Sequence, residues 1–292
     1  MDLLSSLKNS DFKLYLGTFA SSIAGFALLY QLSHLFLRKV LKLNLYLDLD
    51  KNQRADFVSR ITSEIHSIIG FVWAYHSIYL SCDSGKSIFD DAQCFCSPSQ
   101  SVVMLTFFSS GQITYDLFIC LYSIKDFSPL GVQNLLHHSI GLCATLFSIF
   151  SFQYNFTVAS ATVFTELSTI FLNVRYVMIK SKNAEGLAFM SVMAAFSGTF
   201  FYARLWVQLK VTYGMFTIKD QCGLLDTSSS AEIFDALNKF LLVSFTILNV
   251  YWGWGIVKAV RKVLTGGLTH MKAENHASSE GEDKQTEVVK QE

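Results

Sequence analysis

The stretch FFSSGQITYDLFICLY, Phe107–Tyr122, decides the fold class. It is long and apolar, yet it holds Ser109, Gln112 and Asp116 at positions i, i+3 and i+7. On a helix of 3.6 residues per turn those positions share one face, so the polarity forms a stripe. Composition supplies the setting. Of 292 residues, 51% are hydrophobic, 16% are charged and two are proline, whereas a soluble domain carries about a quarter charged residues. Apolar runs recur near the ~20 residues a helix needs to cross a bilayer. Seven spans are expected, at 14–37, 57–80, 102–123, 130–150, 156–179, 187–210 and 234–258. The chain therefore reads as all-α and polytopic. Its formal net charge of zero gives no footprint for a nucleic-acid partner.

Lysine and arginine orient the spans. The first connection holds Arg38, Lys39, Lys42, Lys51 and Arg54, the fifth holds Lys180 and Lys182, and the seventh span exits into Lys258, Arg261 and Lys262. The second connection has Lys86 alone and the sixth only Lys219. Basic excess marks the cytosolic side, which sets the N-terminus lumenal or extracellular and the C-terminus cytosolic. Cys82, Cys94, Cys96 and Cys222 then fall on the oxidising side, where disulfides are expected with their connectivity open. The sequon Asn155-Phe156-Thr157 lies on that side too, against the membrane, and is expected to go unused. Residues 263–292 turn polar and charged and read as a disordered cytosolic tail. The first span is longer than the about 7–15 apolar residues of a signal peptide core.

An ionisable group at membrane depth costs about 2.5–3.5 kcal/mol or more, so each needs a partner or a hydrated cavity. In QNLLHHSIGLCATLF, Gln133–Phe147, two adjacent histidines, His137 and His138, stand in an apolar run. Each has an amide one turn before it, Gln133 and Asn134. The fifth span sets Thr162, Glu166, Thr169 and Asn173 on one stripe, and the sixth sets Ser197, Arg204 and Gln208 together. In the second, Arg60 and Glu64 are four apart and placed to pair. Successive polar stripes point to one inward-facing interior, either a lipid-binding cavity or hydrogen bonds holding helices together at about 0.6 kcal/mol apiece. The candidate lipid-binding set is His137, His138, Glu166, Asp116, Gln112, Asn173 and Arg204. No metal or other cofactor is expected. Adjacent histidines project about 100° apart on a helix, and metal pairs on one helix prefer spacings of three or four.

The order RITSEIHS (Arg60–Ser67), GQITYDL (Gly111–Leu117), NLLHHSIG (Asn134–Gly141) and then a polar fifth span resembles the TLC-domain family. That family includes the ceramide synthases and several lipid-homeostasis proteins. The resemblance implies a six-helix TLC domain over 56–262, preceded by an N-terminal helix and basic loop at 1–55. It further implies the endoplasmic reticulum as location, the plasma membrane being the alternative, and a sphingolipid or phospholipid as partner; an oligomer is compatible with it. In ceramide synthases the paired histidines are followed by a His-Asp-x-x-x-Asp segment. Here His137 and His138 match the pair, but Thr165, Glu166 and Thr169 stand at the other three positions. Glu166 could replace the first aspartate, while threonines titrate at no physiological pH. The expectation is a non-enzymatic protein that binds, senses or moves a lipid. The second reading is an acyl-CoA-dependent N-acyltransferase with a histidine base and Glu166 fixing its tautomer.

Overall fold

Each of the seven apolar runs is a long helix. The computed structural model of the chain describes residues 9–217, 221–222 and 229–266. Helix α1 is Asn9–Leu35, α2 is Lys51–Tyr79, α3 is Gln100–Ile119 and α4 is Pro129–Phe150. Helix α5 covers Tyr154–Lys180 and α6 covers Gly186–Thr217, each with a local change of winding, and α7 is Ser229–Gly266. No strand occurs among the described residues. Local chemistry sets the starts. Asp50 accepts from the backbone N–H groups of Asn52 and Gln53, while Gln53 Oε1 accepts from the N–H of Asp50, closing a capping box at α2. Pro129 occupies the first turn of α4, and the Ser128 hydroxyl accepts from the Gly131 N–H.

Five of the seven helices, α1, α3, α5, α6 and α7, are long and apolar enough to cross a membrane on their own composition. The other two carry ionisable or paired polar side chains within their spans. Helix α2 carries Arg60, Glu64, His66 and His76, and α4 carries the paired histidines. The reason is packing: α2 lies against α1, α3 and α5 and buries Ser59, Thr62, His66 and Ser67 in protein rather than in lipid. The chain is an all-α polytopic membrane protein.

Helix α1 packs along α3, and the approach depends on Gly111. A Cβ there would stand 2.6 Å from the carbonyl oxygen of Phe19 and 2.7 Å from Ser22 Cβ. The Ser22 hydroxyl donates to the Phe108 carbonyl at 2.7 Å beside this contact. At the far end of α1 the His34 ring bonds the Tyr46 hydroxyl in the loop. Arg60 does not pair with Glu64 as the spacing allows. It meets Asp56 at 3.2 Å, one turn earlier, and lies over the Tyr176 ring, because Glu64 receives the Asn173 amide at 3.2 Å.

The disulfides are Cys82–Cys94 and Cys96–Cys222. Between them Phe95 is buried against Tyr154 and Gly214. The Ser84 hydroxyl and the Cys94 N–H both donate to Asp91, which holds that carboxyl below the usual aspartate range. Cys120 and Cys143 are free thiols.

A compact unit runs to Asn249 and a second begins at Val250, within α7. Helix α7 extends to Gly266, past the expected end of its span; the remainder of the predicted tail lies outside the described residues.

Gly111→Leu should lower thermal stability in detergent by about 1–3 kcal/mol through overpacking. Gly17→Leu, where nothing lies within 4 Å of an added Cβ, should leave it unchanged. The sequon is closed: Asn155 is 2% exposed with its amide 3.2 Å from Asp235, and the Thr157 hydroxyl donates to the Phe95 carbonyl. Glycosidase treatment of protein made in glycosylating cells should therefore leave its gel mobility unchanged.

Candidate functional site

The polar stripes of α2, α3, α4 and α5 meet inside the bundle. Asp116 is their first junction. Its Oδ2 lies 3.3 Å from His138 Nε2, and its Oδ1 accepts from the Ser59 hydroxyl at 2.8 Å. Three helices thus supply a carboxylate, an imidazole and a hydroxyl to one contact. Ser109 and Gln112 are buried with Asp116 along the face their spacing predicts. A buried carboxyl needs hydrogen-bonding partners in reach, and Asp116 has two, the His138 ring and the Ser59 hydroxyl.

The second junction is Glu166. Its Oε2 accepts from the Ser67 hydroxyl at 2.7 Å, and His66, Arg204 and Thr169 are its other electrostatic neighbours. Arg204 is buried on α6. Its Nε donates to the Ser168 hydroxyl at 2.7 Å, Nη2 to the Thr169 hydroxyl at 3.0 Å and Nη1 to Asn249 Oδ1 at 3.4 Å. Backbone winding changes on both sides of this contact. A 3₁₀ turn, Val163–Thr165, immediately precedes Glu166, and a π-helix, Phe200–Val207, contains Arg204. Such departures from α winding concentrate at functional sites, since they re-aim side chains that a regular helix would carry past one another.

His66 joins the two junctions, and the site reading from sequence did not include it. It is 3% exposed, with Nε2 3.3 Å from the Ser109 hydroxyl. Its ring stacks on Phe108 and meets the edge of Phe26. Glu166, Asp116 and His138 are all in its electrostatic surroundings. The signal was available: Ser59, Thr62 and His66 stand at i, i+3 and i+7 on α2, the rule that singles out the α3 stripe.

The paired histidines diverge. His138 turns to Asp116, whereas the His137 ring stacks on Phe245 of α7 at 4.9 Å, with Arg204 among its electrostatic neighbours. The ring planes stand 85° apart. Asn134 reaches Cys120 Sγ rather than His138. Asn173 belongs to another contact, donating to Glu64 and Ser63. Of the seven candidates, then, His138 and Asp116 touch directly, Glu166 and Arg204 are electrostatic neighbours, Gln112 shares the Asp116 face, His137 lies in the electrostatic surroundings of Arg204, and Asn173 bonds Glu64, which in turn feels Glu166. Among the described residues no three His, Cys, Asp or Glu side chains group closely enough to hold a metal ion.

A second buried ionisable cluster went unread in the sequence. Asp235 on α7 accepts from the Tyr154 hydroxyl at 2.5 Å and the Asn155 amide at 3.2 Å, and pairs with Lys239 at 2.9 Å. Beside it the Asn238 amide donates to Ser148 and Ser151. It fastens the α4–α5 hairpin to α7. Its signal was weak, because Asp235 and Lys239 read as an ordinary i, i+4 surface pair.

Asp116→Ala should lower thermal stability by on the order of 3 kcal/mol, the effect of stranding one partner of a buried pair. The double substitution Asp116→Leu with His138→Leu should regain most of it. Equal losses in both variants would assign the stability to something other than the pair.

The model described as TLC domain matches residues 56–258. The match begins in α2 and ends in α7, so its core is the six helices α2–α7, with α1 added before them. No curated protein matches the chain. With its shared histidine, carboxylate and arginine neighbourhood inside those six helices, and well over half its length matched, the chain belongs to the TLC-domain family.

Proposed function

We propose that the protein binds and handles a membrane lipid, without enzymatic turnover, in the service of lipid homeostasis. The observation that carries this reading is the convergence of four helices on His138–Asp116 and His66–Glu166. Interhelical hydrogen bonds in membranes contribute only about 0.6 kcal/mol each, and Thr, Ser or Asn would supply them without a charge to bury. Two carboxylates, two histidines and an arginine suit a polar headgroup, of a sphingolipid or a phospholipid, with its acyl chains running along the phenylalanine-rich helix surfaces.

The non-enzymatic choice is supported at Thr165 and Thr169. Thr169 is engaged by Arg204 and Thr165 is buried, and neither hydroxyl gains or loses a proton in the physiological range. A second reading, an N-acyltransferase, draws on the His138–Asp116 contact, which has the form of a base with its orienting carboxylate. The two disulfides suit an oxidising compartment, which supports the reading of the endoplasmic reticulum as location, with the loop between α2 and α3 facing its lumen.

The test is the lipid that stays with the protein in mild detergent, identified by mass spectrometry. Wild type should carry a defined species, and Glu166→Gln should lose it by at least about tenfold, as expected for removing one charged hydrogen-bond acceptor. An unchanged lipid profile would assign these residues to helix packing. Incubation with labelled acyl-CoA and long-chain base should give no product, and turnover abolished by His138→Ala would make the protein an enzyme.

A further inference from the structure

Gln208 on α6 is 1% exposed, yet neither its Nε2 nor its Oε1 has a hydrogen-bond partner among the described residues. One turn before it, Arg204 reaches Asn249 on α7; one turn after it, the Thr212 hydroxyl meets that of Thr246 at 3.1 Å. Arg204, Gln208 and Thr212 follow at i, i+4 and i+8, so Gln208 sits on the same seam between α6 and α7. Asn249 is fully buried. Its Oδ1 accepts from Arg204, which leaves Nδ2 without a partner. That assignment is fixed, because a guanidinium only donates. One seam therefore holds three unmet amide atoms: two NH₂ groups and one carbonyl oxygen. A leucine at either position would avoid the loss entirely, and within a bilayer core water is not at hand to make it good.

We infer that this seam receives an uncharged lipid headgroup bearing a hydroxyl, which bridges Gln208 and Asn249. The inference rests on the lipid-handling reading above and names the class of lipid. A phosphate would satisfy the two NH₂ groups but set its charge against the Gln208 carbonyl oxygen, and an ammonium would do the reverse. A hydroxyl both donates and accepts. The charges beside the seam are already engaged. The Arg204 guanidinium is held by Ser168, Thr169 and Asn249, with Glu166 as its neighbouring counter-charge. Helices seal both amides, so the headgroup comes in sideways as α6 and α7 part. The π-helix Phe200–Val207, a departure from regular winding of the kind found at functional sites, ends one residue before Gln208.

The full chain is reconstituted in nanodiscs with three glycerolipids of identical acyl chains. Their third substituent is a hydroxyl, an acetyl ester or a phosphate. The protein is recovered in mild detergent and its bound lipid weighed by native mass spectrometry. Wild type should retain the hydroxyl form over both others, and Gln208→Leu and Asn249→Leu should each reduce that retention at least about tenfold, the effect of losing one or two hydrogen bonds. Equal retention of all three, or preference for the phosphate, overturns the inference. So does Gln208→Leu that keeps the lipid and melts higher, since leucine then removes an idle amide or displaces a water. If leucine does not fold, Gln208→Met, unbranched and similar in length, is read by the same criteria. Glu166→Gln separates the two levels. Lipid lost there but kept in Gln208→Leu preserves the lipid site and sinks the hydroxyl seam, while a wild type that retains no lipid sinks both.

Discussion

The bundle is organised by the need of a buried Asp116 carboxylate for partners that its own helix cannot provide. The groups one turn away, Gln112 on α3 and Cys120 just past its end, are neutral, so its partners must come from elsewhere. His138 supplies the imidazole from α4 and Ser59 the hydroxyl from α2. That single contact fixes three helices in rotation and in depth. Glu166 repeats the solution with Ser67 and the surroundings of His66 and Arg204. Because α2 contributes to both, it occupies the middle of the bundle and tolerates a composition too polar for a lipid-facing span.

This arrangement separates two tasks that apolar membrane helices usually combine. The outward surfaces are ordinary: Leu136, Leu146 and Phe150 on α4 and Tyr202, Trp206 and Tyr213 on α6 are exposed, as lipid-facing residues are. Specificity of helix placement lies inside, in directional bonds and in the glycine contact between α1 and α3. Dispersion and packing hold the helices at the right distance, and hydrogen bonds choose the register. The Asp235 cluster does the same at the other end of α7, fastening it to the α4–α5 hairpin.

The seven helices were legible in the sequence because hydropathy reports what lipid requires. The α3 stripe was legible as well, since Ser109, Gln112 and Asp116 obey helical spacing and are all buried. Partner choice was not. Arg60 had carboxylates at both four-residue offsets, and only Asn173, more than a hundred residues away, decides between them by occupying Glu64. The paired histidines read as a unit, but adjacency on a helix forces them apart, one toward Asp116 and the other toward Phe245. The stripe of Ser59, Thr62 and His66 obeys the same spacing, but the general polarity of α2 masks it in the sequence. The winding changes at Val163–Thr165 and Phe200–Val207 leave no mark in composition, since they arise from tertiary contacts rather than from propensity.

The Cys94-Phe95-Cys96 tripeptide also bears on how the chain is put together during synthesis. Cys82 and Cys94 are 12 residues apart and both available once α2 has emerged, whereas Cys96 waits for a partner 126 residues downstream. Early closure of the local bridge leaves Cys96 as the sole thiol in that loop when Cys222 arrives, which removes the competing linkage from Cys94. The late bond then acts as a clasp that records delivery of the sixth helix, joining the loop after α2 to the loop after α6.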